Sequence, residues 1–210
     1  MITAYWNKYW PLTLYLLSTL SLSAQDSLVG ERLRVFNEQF FAAQNAKLRE
    51  ENEKALVLFE ALYQKDPSNA LVCYELAQLY ASDEAEQDAI FYAERASALE
   101  PENAWYLRLK HAVYGQFDKP LLLIESLQKA LIVRPKNENL RFQLAEAYYR
   151  NGDAALAIAE LDRLEDQIGI QEEISNQKKS LYLELGDLDG ARIELEKMIK
   201  AYPKKIDYYG

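Results

Sequence analysis

Helix-stopping residues recur through this chain at one fixed interval, and that interval leaves few architectures open. Prolines stand at Pro67, Pro101 and Pro135, each 34 residues after the one before; the next place in the series is Gly169, and Pro203 follows. Tyr80, Tyr114, Tyr148 and Tyr182 form a second series at the same interval, and Ala55, Ala89, Ala157 and Ala191 a third, broken only by Leu123. A period of this length marks stacked supersecondary units, each unable to bury its apolar face alone. Between the breakers the apolar residues keep helical spacing, as in Leu28, Leu33, Phe36, Phe40 and Ala43, and again in Ala55, Phe59 and Leu62. The expected fold class is all-α, built from antiparallel helix pairs.

The punctuation inside each unit can be read as well. Asp83 with Glu86 three residues later reads as a capping box for the second helix of its pair, and Asp118 with Pro120 as the same signal one stride on. Gly152-Asp153 and Gly186-Asp187 put glycine where a helix must end in a left-handed residue and aspartate where the next begins. Asn69, Asn103 and Asn137, each two residues after a proline, are expected to cap the helix that follows. Asp187-Leu188-Asp189-Gly190 lacks the third ligand and the closing Glu of a calcium loop, so it too reads as a helix cap.

The stretch from Ala70 to Asn103 carries the pattern most fully, with small residues at Ala77, Ala89 and Ala96, an aromatic at Tyr80 and a closing Pro101. It resembles the tetratricopeptide repeat (TPR) family. The resemblance implies a right-handed α-solenoid, a TPR-like superhelix, with about five repeats over 36–69, 70–103, 104–137, 138–171 and 172–205. It also implies that position 8 of each repeat is small, so that the paired helices approach closely. His111 and Lys179 occupy that position, and Lys178 stands at the normally apolar position 7. Looser packing is therefore expected in the third repeat and above all in the fifth.

Composition excludes several functions. With 24 basic against 33 acidic residues the net charge is −9, which repels a phosphate backbone, so no nucleic-acid partner is expected. The seven glycines are scattered singly and form no phosphate-cradling loop. Cys73 is the only cysteine and His111 the only histidine, leaving no disulfide, no His-His metal site and no triad. Cys73 is expected to act as a small buried hydrophobe, and His111 as a partly buried packing residue. The reading is of a protein that is not an enzyme, with no catalytic residues, no metal and no cofactor.

By the same resemblance, a partner docks on the inner face formed by positions 2, 5, 9 and 12 of each first helix. In the second, third and fourth repeats these are Leu71, Tyr74, Gln78 and Ala81; Trp105, Arg108, Ala112 and Gly115; and Asn139, Phe142, Glu146 and Tyr149. Tyr74, Gln78, Trp105, Arg108, Phe142, Glu146 and Tyr149 are the candidate partner-binding residues. Their mixture of aromatic and polar groups suits a peptide or partner protein, with aromatic and Arg anchors supplying most of the energy. The family's carboxylate-gripping subset is not matched, since position 5 carries Phe40, Tyr74, Arg108, Phe142 and Asn176.

Residues 1–24 place one lysine, Lys8, ahead of an apolar run from Trp10 to Leu22 and then Ser23 and Ala24, the pattern of a signal peptide. That run is too short for a comfortable span, so no membrane insertion is expected after its removal. Residues 206–210 read as a tail or the start of a further helix, as though the solenoid continued beyond Gly210. The expected localisation is periplasmic or outer-envelope associated. Two functions fit: an exported protein-protein interaction scaffold, and the sensory or regulatory input segment of a larger envelope receptor.

Overall fold

The computed structural model describes residues 30–204, and the expectations for the leader and for residues 206–210 lie outside the described residues. Ten helices follow one another with no strand among the described residues: α1 (30–48), α2 (Asn52–Lys65), α3 (Ala70–Ser82), α4 (Glu86–Leu99), α5 (Ala104–Gln116), α6 (Pro120–Val133), α7 (Glu138–Arg150), α8 (Ala154–Ile168), α9 (Glu172–Glu184) and α10 (Leu188–Ala201). First helices begin at Ala70, Ala104, Glu138 and Glu172, and second helices at Asn52, Glu86, Pro120, Ala154 and Leu188. Both sets step by 34. The fold is all-α, with antiparallel pairs repeated at a constant stride.

The turn inside each pair repeats too. Backbone φ is positive at Glu50 (62°), Glu84 (56°), Asp118 (49°), Gly152 (86°) and Gly186 (73°), again one stride apart. After each of these residues the next amide reaches back five residues: Glu51 N–H to the Ala46 carbonyl (3.0 Å), Ala85 to Tyr80 (2.9 Å), Lys119 to Tyr114 (2.8 Å), Asp153 to Tyr148 (2.9 Å) and Asp187 to Tyr182 (2.8 Å). This is the Schellman closure of a helix C-terminus. It corrects two expectations. Asp83 and Asp118 are not caps of the second helices; the N-cap residues there are Ala85 and Lys119, neither with a side-chain cap bond, and Asp118 is itself the left-handed residue. Backbone bonds fix the course of these turns without a side-chain cap. Asn69 and Asn137 do cap, accepting from the Val72 and Leu140 amides at 3.0 Å, and the Asn103 side-chain amide donates to Glu100 at 2.9 Å.

By their contacts the residues fall into two compact units, one ending at Asn103 and one beginning at Ala104. In the first, helical stripes such as Ala55, Phe59 and Leu62 on α2 and Ala89, Tyr92, Ala93 and Ala96 on α4 are buried. Phe40 meets Phe59 edge-on at 5.6 Å, and Tyr80 stacks on Tyr92 at 5.5 Å. In the second, Ala154, Ala157, Ile158, Leu161 and Leu164 make one face of α8 and pack with Ala145, Ile174 and Leu181. The spacing i, i+3, i+4, i+7 and i+10 is what aligns them on one side of the helix.

The position-8 and position-7 departures resolve differently. In the third repeat His111 is buried and its Nε2 lies 2.9 Å from Ser126 Oγ. The imidazole occupies the helix crossing, and α5 and α6 are apposed over less backbone than the other pairs from α3 onward. In the fifth repeat the expected looseness gives way to a buried charge cluster. Lys178 is fully buried, and its Nζ lies 2.6 Å from Asp162, 2.6 Å from Glu165 and 2.8 Å from Glu194. Lys197 adds contacts to Glu165 (3.3 Å) and Glu194 (2.9 Å). The three donors of one ammonium are thus each given a carboxylate.

Candidate functional site

The first helices of the second unit, α5, α7 and α9, present one face with two neighbouring hollows. A cavity of about 470 Å³ opens between α7 and α9. Its floor is apolar, from Ala145, Ala157, Leu161 and Leu181, and its polar edge includes Glu146, Tyr149, Glu173, Asn176, Ser180 and Glu184. A smaller one of about 240 Å³ lies between α5 and α7, where Arg108, His111, Gly115, Gln143 and Arg150 meet Glu146. Glu146 therefore borders both. Helical spacing explains the alignment: Glu173, Asn176, Gln177, Ser180 and Glu184 fall at i, i+3, i+4, i+7 and i+11, a single stripe of α9.

The charges on this face are unevenly matched. Arg150 is held on α7, donating to Glu146 at 3.1 Å and to the Gly115 carbonyl at 3.3 Å. Arg108 lies over the Trp105 ring at 5.1 Å, an arrangement that orients the guanidinium without neutralising it. Glu173 and Glu184 have no ion pair among the described residues. At the wall of the smaller hollow, burial, helped by Lys110, pushes the His111 imidazole down to about 4, so it stays neutral near pH 7.

Of the candidate residues, the structure brings Arg108, Glu146 and Tyr149 to the two hollows. Trp105 stands beside them, 65% exposed, with Arg108 stacked on it. Phe142 is half-buried and packs against the α7–α9 core, lining neither hollow. Tyr74 and Gln78 belong to the first unit; Gln78 accepts from Lys47 Nζ, which also pairs with Glu75 at 2.6 Å. Glu173, Asn176 and Ser180 were not among the candidates, although they occupy positions 2, 5 and 9 of the fifth repeat, the positions that nominated the others. Positions 6 and 13 contribute as well, through Gln143, Gln177, Arg150 and Glu184.

Two groups of side chains bear on metal and nucleophile chemistry. Asp162, Glu165 and Glu194 have the spacing of a metal site, but the Lys178 ammonium already takes the central place. Burial would lower that ammonium, yet its three carboxylates outweigh burial and hold it above the ordinary lysine range. Burial also pushes the Cys73 thiol up to about 11, away from thiolate reactivity.

No protein-family model matches the sequence, and no curated protein does. Solved structures do resemble it. YrrB, described as a TPR protein with an unusual peptide-binding site, is 20% identical over 81% of this chain and 88% of its own, with a TM-score of 0.59. MamA from Desulfovibrio magneticus is 15% identical over 81% of this chain and 97% of its own, with a TM-score of 0.60. A tetratricopeptide repeat protein from Parabacteroides merdae is 14% identical over 83% of this chain and 69% of its own, with a TM-score of 0.63. At these identities the likeness is one of fold.

Proposed function

We propose that this chain, whose fold is that of tetratricopeptide repeat proteins, is a non-enzymatic interaction module that docks a peptide segment of a partner protein on the α5–α7–α9 face. One observation carries the reading: two adjoining hollows, the larger with an apolar floor of Leu161 and Leu181 under a polar edge. Such a surface buries an apolar side chain and orients the segment around it with a few polar groups. The peptide-binding site attributed to YrrB supports the same use of this fold. The reading as a scaffold also rests on what the chemically capable residues are doing. His111 is bonded to Ser126, Cys73 is buried, and Lys178 is saturated by carboxylates.

Export belongs to the proposal through the leader pattern of residues 1–24, and N-terminal sequencing of the mature protein tests it. No helix among the described residues is long and apolar enough to cross a membrane. For docking, a displayed octapeptide library is selected on wild-type protein and on Ser180→Trp, which fills the larger hollow from an exposed position on α9. Enrichment on the wild type that is lost in the variant, with unchanged circular dichroism, is the expected result. Peptides that bind both equally would move the site off this face.

A further inference from the structure

The hollows differ in charge, and the difference runs in one direction across the face. On the α5–α7 side stand Arg108 and Arg150 against Glu146, a balance of 2 − 1 = +1. On α9 stand Glu173 and Glu184, a balance of −2 with no opposing ion pair among the described residues. Between them the 3.1 Å Glu146–Arg150 pair neutralises the divide. The negative charge is present at both heights of α9, because Glu173 lies in its first turn and Glu184 ends it, roughly 16 Å apart at 1.5 Å per residue.

Helix stability accounts for only part of this pattern. Glu173 lies in the first turn of α9, where a carboxylate is favoured by the helix dipole. Glu184 is the last residue of the same helix, where a carboxylate faces an end of like sign and is disfavoured. Arg108 is likewise kept on the face by the Trp105 ring rather than by a carboxylate. Two charges held against local preference or without a counter-charge, at opposite sides of one apolar-floored groove, define what would complete it.

Resting on the docking reading above, we propose that the occupant is a partner segment with an acidic side chain at one end, an apolar centre and a basic side chain at the other. The acidic group lies over Arg108 and the α5–α7 hollow. The apolar centre fills the space above Leu161 and Leu181, and the basic group meets Glu173 or Glu184. The segment is extended, rising about 3.3 Å per residue along its course from α5 to α9. The segment can run in either chain direction, so the requirement is on the two ends carrying opposite charge.

The test uses four fluorescent octapeptide pools sharing randomised apolar centres, with acidic/basic, acidic/acidic, basic/basic and uncharged ends. Anisotropy titration on the wild-type protein at low salt is expected to favour the mixed pool by roughly 5- to 20-fold, a preference that fades toward 0.5 M salt. Arg108→Glu should move the preference to the basic/basic pool, and Glu173→Lys with Glu184→Lys to the acidic/acidic pool. These positions are exposed, and circular dichroism of each variant checks that the fold persists. Equal binding of the uncharged and mixed pools overturns the charge assignment while leaving peptide docking standing. Binding of every pool that is no stronger to wild type than to Ser180→Trp overturns the docking reading, and the charge proposal with it.

Discussion

Replacing Lys178 by Met keeps an unbranched side chain in the core of the fifth repeat and removes only its charge. The structure gives the scale. Lys178 is fully buried, with three carboxylate oxygens within 2.8 Å, and the Glu194 and Glu165 side chains are 3% and 11% exposed. The cluster of two lysines and three carboxylates carries 2 − 3 = −1; the variant carries 1 − 3 = −2, with only Lys197 left to offset Glu165 and Glu194. Removing one partner from a buried pair costs about 3–5 kcal/mol, or a fall of roughly 6–20 °C in Tm for a chain of this size. Urea unfolding followed by hydrogen exchange in α8–α10 measures it, since a repeat array can open locally. The pH dependence is a sharper test. Burial works against the Glu165 carboxylate, but Lys178 and Lys197 outweigh it and hold it below its ordinary 4.5, so its contribution is present above that pH and lost on acidification. Lys178 is raised above its ordinary 10.5, so its contribution is present below that pH and lost in alkali. The deficit of Lys178→Met should therefore be greatest between about 5 and 10 and shrink toward pH 4, as the abandoned carboxylates take up protons. Lys178→Met with Glu194→Gln, which restores the cluster to −1, should recover part of it. A deficit under about 1 kcal/mol at pH 7, or one unchanged from pH 7 to pH 4, would refute the reasoning.

His111 is held at about 4, below its ordinary 6.5, so the unfolded chain binds the extra proton between those values and stability should fall as pH drops from 6.5 to 4. His111→Gln, which can still bond Ser126, should flatten that slope in urea titrations. Glu84→Gly and Asp118→Gly should each stabilise by about 0.5–1 kcal/mol, the relief of a left-handed side chain less the added freedom of the unfolded chain, while Gly152→Ala should cost about 1 kcal/mol. Thermal melts of the three variants decide it. A Cβ at Gly190 would stand 2.5–2.8 Å from the Tyr182 ring. Gly190→Ala should therefore destabilise by about 1–3 kcal/mol despite alanine's better helix propensity, and a stabilised variant would show that the ring moves freely aside.

The stride was legible because it is written in residues with strong backbone consequences: the prolines, and the small residues where helices cross. Tyr114 and Ala89 are buried where their series placed them. The turns were less legible, because the left-handed residue is glycine at only two of five places; Asp83, next to the left-handed Glu84, and Asp118 suggest capping and conceal the true closure. Lys178 read as a defect because its partners come from α8 and α10, 13 to 16 residues away on other helices. No local pattern pairs them. The lining of the two hollows was partly legible as a set of repeat positions, which named Arg108, Glu146 and Tyr149 and, carried one repeat further, would have named Glu173, Asn176 and Ser180. Phe142 shows the limit of a positional rule: an aromatic ring near both groove and core goes where it loses most water.

The five Schellman turns fix the rotational phase of every second helix against its partner, and this makes their length far less negotiable than their composition. Deleting Gly152 would remove the left-handed residue that closes α7, so α8 would leave the turn in another phase and Ala157, Leu161 and Leu164 would be lost from the interior. A side chain added at these turns costs about 1 kcal/mol, whereas a changed number of residues misplaces a whole helix, much as the teeth of a gear tolerate wear but not a miscount.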